Sequence, residues 1–226
     1  MQKMQALNQF LFMYAALCRN LFEHSCIFRQ VKTTADENYK SKSSKGAIKT
    51  TNRIKPNIVL AGFMGSGKTV IGRTVANLLN YDFVDTDEYI KDVTGMDLAK
   101  LYRKHGEIRF RSEEKLAIRR FAAKERQVIA CGGSLPPDEE WVKLLSRNGY
   151  IVLLTAAPDV IMSRVGRKND RFITGKRPKE AEMEAMLRER ERFFERTEHI
   201  TIDTGTLDVE EAADLIVAQY NHTFDE

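Results

Sequence analysis

Residues 62–69 read GFMGSGKT and lie between an apolar run, Asn57–Ala61, and a stretch of helical periodicity, Thr69–Leu79. They satisfy the pattern G-x-x-x-x-G-K-[ST] in the strand–loop–helix context that this pattern requires. Backbone N–H groups of such a loop and the positive end of the helix bind phosphate oxygens, and the lysine reaches the β- and γ-phosphates. The sequence therefore predicts a nucleotide site. The loop alone does not predict which reaction follows.

Downstream of this loop, short apolar runs alternate with longer helical patterns, which is typical of βαβ units and a parallel sheet. The predicted strands are Asn57–Ala61, Phe83–Asp85, Val128–Ala130, Tyr150–Thr155 and Ile200–Asp203. The predicted helices are Thr69–Leu79, Ser112–Lys124, Pro137–Arg147, Pro158–Val165, Lys179–Arg196 and Asp208–Tyr220. We expect an α/β fold, with a five-stranded parallel sheet in a three-layer α/β/α arrangement.

The formal charge of +4 is unevenly distributed along the chain. Residues 1–55 hold ten Lys and Arg against three Asp and Glu, whereas the remainder holds 26 basic and 29 acidic residues. A mildly acidic body gives no reason to expect a nucleic-acid partner. We expect one domain, 56–226, preceded by a disordered or weakly helical extension, 1–55. A transit peptide or an over-long start are the alternative interpretations of the extension.

No apolar run reaches the eighteen residues that a membrane helix needs, so we expect a soluble protein that does not bind membranes. The three cysteines, Cys18, Cys26 and Cys131, form no CxxC pair, and their odd number argues against a disulfide framework. A reducing, cytoplasmic compartment is expected. Cys131 follows an apolar run and is predicted to be a small buried side chain.

Two carboxylates follow the second predicted strand, in the sequence Asp85-Thr86-Asp87. Ligands bind at the carboxyl ends of parallel strands, and residues two apart on a strand point to the same side. One carboxylate near Mg²⁺ and another near an acceptor hydroxyl would serve phosphoryl transfer. The same residues are equally typical of a helix N-cap leading into Glu88 and Tyr89.

A guanidinium lies in the run GEIRFRSEE, residues 106–114. Ser112 is a plausible helix N-cap, which places Arg111 directly before the helix. An arginine in that position can form a bidentate pair with a ligand carboxylate. The simpler interpretation is an ion pair between Arg111 and Glu107 or Glu114.

GFMGSGKT, DTD, GE-x-x-FR and the Gly132-Gly133 step after a strand occur in the order and spacing of shikimate kinases. This resemblance covers about residues 56–220. It implies a P-loop kinase with a mobile lid that uses ATP and Mg²⁺ to phosphorylate the 3-hydroxyl of shikimate, a step of chorismate and aromatic amino acid biosynthesis. We expect the enzyme to be a monomer.

The resemblance also implies a role for each matching residue. The implied ATP-binding residues are Gly65, Ser66, Gly67, Lys68, Thr69, Val70, Arg164 and Arg171. The implied metal-binding residues are Thr69 and, through water, Asp85. The implied shikimate-binding residues are Asp87, Arg111, Gly132, Gly133 and Arg190. The implied catalytic residues are Lys68, Asp87 and Arg171.

Two of these positions have a second interpretation. Arg190 lies in LRERERFF, residues 187–194, which is similar to the family's L-x-x-R-x-P-L-Y helix. Without the resemblance, such a charged helix would be interpreted as a surface helix with many ion pairs. The lid is expected at about 164–179, where Arg177 is a rival to Arg171 because Arg177-Pro178 mimics the family's R-P step.

The chain departs from the family pattern at four places. Ser134 stands where a third glycine is usual or where one residue is deleted, so a side chain would reshape the acceptor pocket. RFIT at 171–174 replaces R-P-L-L, Arg192 replaces proline, and the first 55 residues have no counterpart in the minimal enzyme.

Two other functions are alternatives to shikimate phosphorylation. A sister kinase would act on another hydroxy acid or polyol, such as gluconate, or on a nucleoside monophosphate. A nucleotide-binding regulatory protein without turnover would be expected to lack Lys68, Asp85 or Asp87, and all three are present.

Overall fold

The computed structural model describes residues 55–133, 139–165, 173, 178–195 and 197–224. These residues form five strands and seven helices. The strands are β1 (Asn57–Gly62), β2 (Asp82–Asp85), β3 (Gln127–Ala130), β4 (Gly149–Thr155) and β5 (Ile200–Asp203). The helices are α1 (Lys68–Leu79), α2 (Thr86–Thr94), α3 (Leu98–Ala122), α4 (Glu139–Ser146), α5 (Pro158–Val165), α6 (Glu180–Phe194) and α7 (Val209–Phe224).

The five strands form one sheet in the order β2-β3-β1-β4-β5, and every neighbouring pair is parallel. β1 lies at the centre, with Ile58 opposite Val128 of β3 and opposite Tyr150 of β4. The predicted parallel sheet and all five predicted strands are confirmed. Because the strands are parallel, their carboxyl ends meet at one edge, which is where the phosphate-binding loop leaves β1.

Both faces of the sheet are covered by helices, so β1 is buried along its whole length. Ile58 and Leu60 pack on one face against a cluster that includes residues of α1 and α7. Val59 and Ala61 pack on the opposite face with residues of α3 and α4. Because successive side chains point to opposite faces and both faces are buried, the strand is a continuous apolar run in the sequence. The arrangement is the predicted three-layer fold.

A third, smaller cluster supports the site-bearing edge of the sheet. Phe63 of the phosphate-binding loop packs with Ile161 and Val165 of α5 and Met183 of α6. All four side chains are buried. The cluster thereby fixes α5 and α6, which carry two of the predicted arginines, against the loop that follows β1.

Helix α2 is absent from the list of predicted helices and was anticipated only by the N-cap interpretation of Asp85-Thr86-Asp87. It begins where the Asp85 side chain accepts hydrogen bonds from the backbone N–H groups of Asp87 and Glu88, and it ends at Gly95. Asp87 therefore lies in the first turn of a helix. The expectation that Asp85 and Asp87 project from one strand is wrong, and the N-cap interpretation of Asp85 is confirmed.

Helix α3 begins much earlier than the sequence pattern predicted and is broken at Gly106, whose φ of 77° is left-handed. A methyl group at Gly106 would contact nothing within 4 Å, so the backbone conformation alone favours glycine there. Ser112 is not an N-cap. It lies inside α3, and its hydroxyl donates to the Ile108 carbonyl at 2.9 Å.

Several predicted features lie outside the described residues. They include the extension 1–55 apart from Lys55, and Ser134 with the loop that follows Gly133. The predicted lid is described only at Arg164, Val165, Ile173 and 178–179. Among the helices in the described part of the chain, none is both long and apolar enough to cross a bilayer.

Replacing Phe110, which is fully buried in α3, should destabilise the fold far more than replacing its exposed neighbour Ile108. Phe110→Ala removes a core ring and leaves a cavity, so we expect the free energy of unfolding to fall by about 3–5 kcal/mol. Ile108→Ala is the matched control, with an expected change below about 0.5 kcal/mol. Urea unfolding measures both, and equal losses in the two variants would contradict this packing.

Candidate active site

The phosphate-binding loop joins the end of β1 to the start of α1, and Lys68 is the first residue of that helix. The Lys68 ammonium donates to the carbonyl oxygens of Gly62 at 2.9 Å and Phe63 at 2.8 Å. These bonds hold the lysine beside the loop that it follows in sequence. Burial and the nearby Arg190 guanidinium lower the pKa of Lys68 to about 8.

Gly62 cannot be exchanged for another residue without moving the loop. Its φ is 145°, in the region that L side chains rarely adopt. A Cβ there would collide with the carbonyl oxygen of Leu154 on β4 and would lie 2.6 Å from the hydroxyl of Ser66. Ser66 is itself fully buried, and its hydroxyl has no hydrogen-bond partner among the described residues.

Asp85 connects the phosphate-binding loop to the start of α2. One carboxylate oxygen accepts from the Thr69 hydroxyl at 2.8 Å. The other accepts from the backbone N–H groups of Asp87 at 3.0 Å and Glu88 at 3.3 Å. A single carboxylate thus fixes the beginnings of two helices relative to each other.

Asp87 lies in the first turn of α2, with one carboxylate oxygen, Oδ1, buried and without a hydrogen-bond partner in the described part of the chain. Burial and, to a smaller extent, the nearby carboxylate of Asp85 raise the pKa of Asp87 to about 6. A buried acceptor without a partner is costly in free energy, and it is a common feature of binding sites. Asp87 is therefore a candidate to accept a hydrogen bond from a ligand.

The loop after β3 lies against the Asp87 carboxylate and the Lys68 ammonium. A Cβ added to Gly132 would be 2.7 Å from Oδ1 of Asp87. A Cβ added to Gly133 would be 2.7 Å from the backbone nitrogen of Met64 and 2.8 Å from the Lys68 ammonium. The two glycines thus lie in direct contact with Asp87 and Lys68, in a space that no larger residue could occupy without displacement.

Arg190 of α6 is buried, with 5% of its surface exposed. Its guanidinium donates to the Gly62 carbonyl at 2.8 Å and lies over the ring of Phe63, 5.6 Å from the centroid. Burial lowers the pKa of Arg190 to about 10, so the guanidinium remains charged at neutral pH. The surface ion-pair interpretation of α6 is therefore wrong for Arg190, although Arg188 does form such a pair with Glu184 at 3.2 Å.

Arg111 of α3 is held by two carboxylates. Its guanidinium donates to Glu114 at 3.0 Å and lies 3.5 Å from the carboxylate of Glu107. Both predicted ion-pair partners are therefore present. Glu114 is mostly buried beside Gly132, and this burial raises its pKa to about 7 despite the opposing effect of Arg111.

Arg164 of α5 donates to the carbonyl of Gly65, within the phosphate-binding loop, at 3.4 Å. It donates to the hydroxyl of Thr204 at 2.8 Å and to the carbonyl of Thr204 at 2.5 Å. Thr204 directly follows β5, so the pair connects α5 to the outer strand of the sheet. Val70, another predicted ATP contact, lies in the first turn of α1 with more than half of its surface exposed.

The structure brings together most of the predicted site residues at one edge of the sheet. Lys68, Asp85, Asp87 and Arg190 form a cluster that interacts electrostatically, and burial and mutual interaction shift the pKa of Lys68, Asp87 and Arg190. Arg171 and its rival Arg177 lie outside the described residues. Cys131 also lies at this edge, where burial raises its thiol pKa to about 12 and confirms the prediction of a buried side chain.

The chain is similar to proteins of one family throughout the described domain. A family model described as shikimate kinase matches residues 64–221. The shikimate kinase of Pelotomaculum thermopropionicum is 43% identical over 161 residues, covering 71% of this chain and 93% of that protein. The shikimate kinase of Thermodesulfovibrio yellowstonii is 40% identical over 164 residues, covering 73% of this chain and 94% of that protein. The chain belongs to the shikimate kinase family.

A solved structure agrees with this assignment. The shikimate kinase from Acinetobacter baumannii, in complex with shikimate, matches with a TM-score of 0.71 and 27% identity. The match covers 76% of this chain and 96% of that one.

Sequence reasoning missed two residues that shape this shikimate kinase family site. Thr86, between the two aspartates, is buried and hydrogen-bonded to the loop after β3. Glu114 was considered only as a surface partner of Arg111, yet it lies between Arg111 and Gly132. A threonine directly after a helix N-cap is a weak signal, and nothing in the local pattern predicts which backbone groups its hydroxyl contacts.

Removing the charge of Asp85 should lower the pKa of Asp87, because the Asp85 carboxylate is the second-largest cause of its elevation. Asp85→Asn keeps an oxygen that can cap α2, so the helix should be retained. Glu88→Gln is the matched control, since Glu88 is exposed and paired with Arg73 at 3.1 Å. Side-chain carboxyl ¹³C NMR measures the pKa, and an unchanged value for Asp87 in Asp85→Asn would contradict the coupling.

Proposed function

We propose that this chain transfers the γ-phosphoryl group of ATP to the 3-hydroxyl of shikimate, giving shikimate 3-phosphate and ADP. The observation that carries the proposal is the position of Asp87. Its unpartnered carboxylate interacts electrostatically with Lys68 and with Arg190, and Arg190 in turn interacts with Arg111. Two guanidiniums near one pocket suit an acceptor that carries a carboxylate as well as hydroxyls.

ATP would bind along the phosphate-binding loop. The backbone N–H groups of Gly65, Ser66, Gly67, Thr69 and Val70 would contact its phosphate oxygens, together with the positive end of α1. Lys68 would exchange its bonds to two carbonyls for bonds to the β- and γ-phosphates. Arg164 would contact the adenine side, and Arg171 would neutralise charge on the transferring group.

Mg²⁺ would be held by Thr69 and, through water, by Asp85. A hydroxyl and a carboxylate are the hard oxygen donors that this ion prefers, and they lie 2.8 Å apart beside the loop. Within the described residues, no cluster of three or more His, Cys, Asp or Glu side chains could hold a metal ion. This is consistent with an ion bound chiefly by nucleotide phosphates, where it would neutralise phosphate charge.

Shikimate would bind with its carboxylate near Arg111 and Arg190 and its ring against Gly132 and Gly133. Glu114 already orients Arg111 toward this side through a 3.0 Å bond. Because both glycines lack side chains, the backbone can approach the ring closely. Fixing the carboxylate end of the acceptor would orient its 3-hydroxyl toward Asp87.

In the reaction, the shikimate 3-hydroxyl oxygen would attack the γ-phosphorus while the bond from that phosphorus to the bridging oxygen of ADP breaks. Asp87 would accept the hydroxyl proton. Since the pKa of Asp87 is about 6, the carboxylate is ionised at neutral pH and close enough to neutrality to act as a base. Lys68 would stabilise the negative charge that develops on the transferring group.

We extend the proposal to the organisation of the chain, with residues 56–226 as the kinase domain and about 164–179 as its lid. The requirement for ATP supports a cytoplasmic location, as does a free, buried thiol at Cys131. The proposed binding partners are ATP and shikimate, and the proposed state is a monomer.

A coupled ADP-release assay with Mg²⁺ and ATP tests the proposed function. Shikimate should support turnover, whereas quinate, gluconate and AMP, offered separately, should not. Lys68→Met should remove activity while leaving the fold unchanged by circular dichroism, because it deletes the phosphate-binding ammonium. Turnover confined to another acceptor would assign a sister kinase, and ATP binding without any turnover would assign a regulatory protein.

Arg111→Ala should raise the KM for shikimate by roughly 10- to 100-fold, the cost of one lost hydrogen bond to a charged group. The KM for ATP should change by less than about twofold, because the guanidinium lies on the acceptor side. Arg119→Ala is the matched control on the same helix, since Arg119 pairs with Glu140 at the surface at 2.9 Å. Equal effects of Arg111→Ala on both KM values would contradict the acceptor role.

A further inference from the structure

Thr86 lies between the two aspartates of the site, at the first position of α2. Only 3% of its surface is exposed, so its hydroxyl must find partners within the protein. The proposed roles of Asp85 and Asp87 do not involve the Thr86 hydroxyl, so its function is a separate question.

The Thr86 hydroxyl extends the pairing between β2 and β3 beyond the end of the strand. The last backbone pair of this ladder is Asp85 with Ala130. Helix α2 begins at the next residue, Thr86. There the threonine side chain, instead of the backbone, forms the hydrogen bonds to β3 and to the residues that follow it. Its hydroxyl donates to the Ala130 carbonyl at 3.3 Å and accepts from the Gly132 N–H at 2.9 Å.

The position of Gly132 determines the shape of the acceptor side. A Cβ on Gly132 would be 2.7 Å from Asp87 Oδ1 and 3.3 Å from the carboxylate of Glu114. The next residue, Gly133, lies equally close to Lys68. A shift of the Gly132 backbone by a few tenths of an ångström would therefore change its contacts with the groups proposed to bind the acceptor.

We propose that Thr86 is a positioning residue for the acceptor pocket, whose hydroxyl holds the Gly132 backbone against Asp87. The proposal rests on the proposed function, because it concerns the same pocket. Thr86 would not contact shikimate or ATP. It would act through Gly132, while the nearby Thr69–Asp85 bond on the nucleotide side involves neither hydrogen bond of the Thr86 hydroxyl.

This role predicts that loss of the Thr86 hydroxyl impairs the use of shikimate and leaves the binding of ATP nearly unchanged. Valine has nearly the shape of threonine but cannot hydrogen-bond, so Thr86→Val would leave the buried Gly132 N–H without its partner. That N–H would be expected to turn away or to recruit water, which displaces Gly132. The disturbance would lie on the acceptor side of the site, and the phosphate-binding loop would be retained.

The test is steady-state kinetics of the full chain with shikimate and ATP varied separately. Thr86→Val should lower kcat/KM for shikimate by roughly 10- to 100-fold, the effect of one unsatisfied buried polar group, and leave the KM for ATP within about twofold. Thr86→Ser, which keeps the hydroxyl, should restore kcat/KM for shikimate to within about threefold of the native value.

Thr94→Val is the matched control. Thr94 is at the other end of α2, and its hydroxyl makes the same two kinds of bond, donating to the Ile90 carbonyl at 2.7 Å and accepting from the Met96 N–H at 3.4 Å. It should lower the thermal midpoint without changing either KM. If Thr86→Val does not fold, Thr86→Ala replaces it in the comparison with Thr86→Ser.

The outcomes separate this proposal from the proposed function. Failure of the native chain to phosphorylate shikimate would overturn both. If the native chain is active, a loss of thermal stability in Thr86→Val with an unchanged kcat/KM for shikimate would overturn the positioning role alone. Equal effects on both substrates, no recovery in Thr86→Ser, or unfolding of both the valine and alanine variants would also overturn it.

Discussion

The carbonyl oxygen of Gly62 accepts hydrogen bonds from two cations that arrive from different parts of the chain. Lys68 donates to it at 2.9 Å from the start of α1, and Arg190 donates at 2.8 Å from α6, 128 residues away in sequence. The backbone at Gly62 reaches this position only because it lacks a side chain, which would collide with Leu154. One carbonyl oxygen therefore holds the Lys68 ammonium and the Arg190 guanidinium close together.

The same crowding explains the electrostatics of the site. Lys68 and Arg190 repel each other, as do Asp85 and Asp87, and burial disfavours the charged forms of Lys68, Arg190 and Asp87. The pKa of Lys68 consequently falls to about 8 and that of Asp87 rises to about 6. Bound ligands would reduce both repulsions. Phosphate oxygens would neutralise the two cations, and an acceptor hydroxyl would donate a hydrogen bond to the carboxylate of Asp87. In the free protein, the like charges and the unpartnered Asp87 oxygen are therefore unfavourable features that ligand binding would remove.

Much of the fold could be predicted from the sequence because the three central strands, β1, β3 and β4, are buried on both faces. Continuous apolar runs identified these three strands, the shorter and more polar edge strands β2 and β5 were identified from the alternation of strands with helices, and the glycine-rich loop identified the end of β1. Helix α2 and the first part of α3 were missed, since α2 spans nine residues and the pattern of α3 is interrupted at Gly106. The error about Asp87 has the same origin, because a strand assumed to continue past Asp85 in fact gives way to a helix.

The candidate site was less predictable, because its residues come together only in the folded chain. The local sequence around Arg190 resembles a surface helix, and its burial depends on Phe63 and Gly62, which are distant in sequence. The family resemblance supplied that residue where the local pattern did not. The contact between Thr86 and Gly132 spans 46 residues and has no signature in either segment, so only the three-dimensional arrangement reveals it.

In the proposed mechanism, Asp87 accepts the proton of the hydroxyl that receives the phosphoryl group, and the two arginines orient the acceptor so that this is the 3-hydroxyl. The most direct test is therefore to determine which hydroxyl of the product carries the phosphate. Full-length protein would be incubated with Mg²⁺, ATP and shikimate, and the product examined by ³¹P–¹H correlation NMR. A single ester whose phosphorus couples to the proton on C3 is the predicted result. Coupling to the proton on C4 or C5, or release of inorganic phosphate alone, would contradict it.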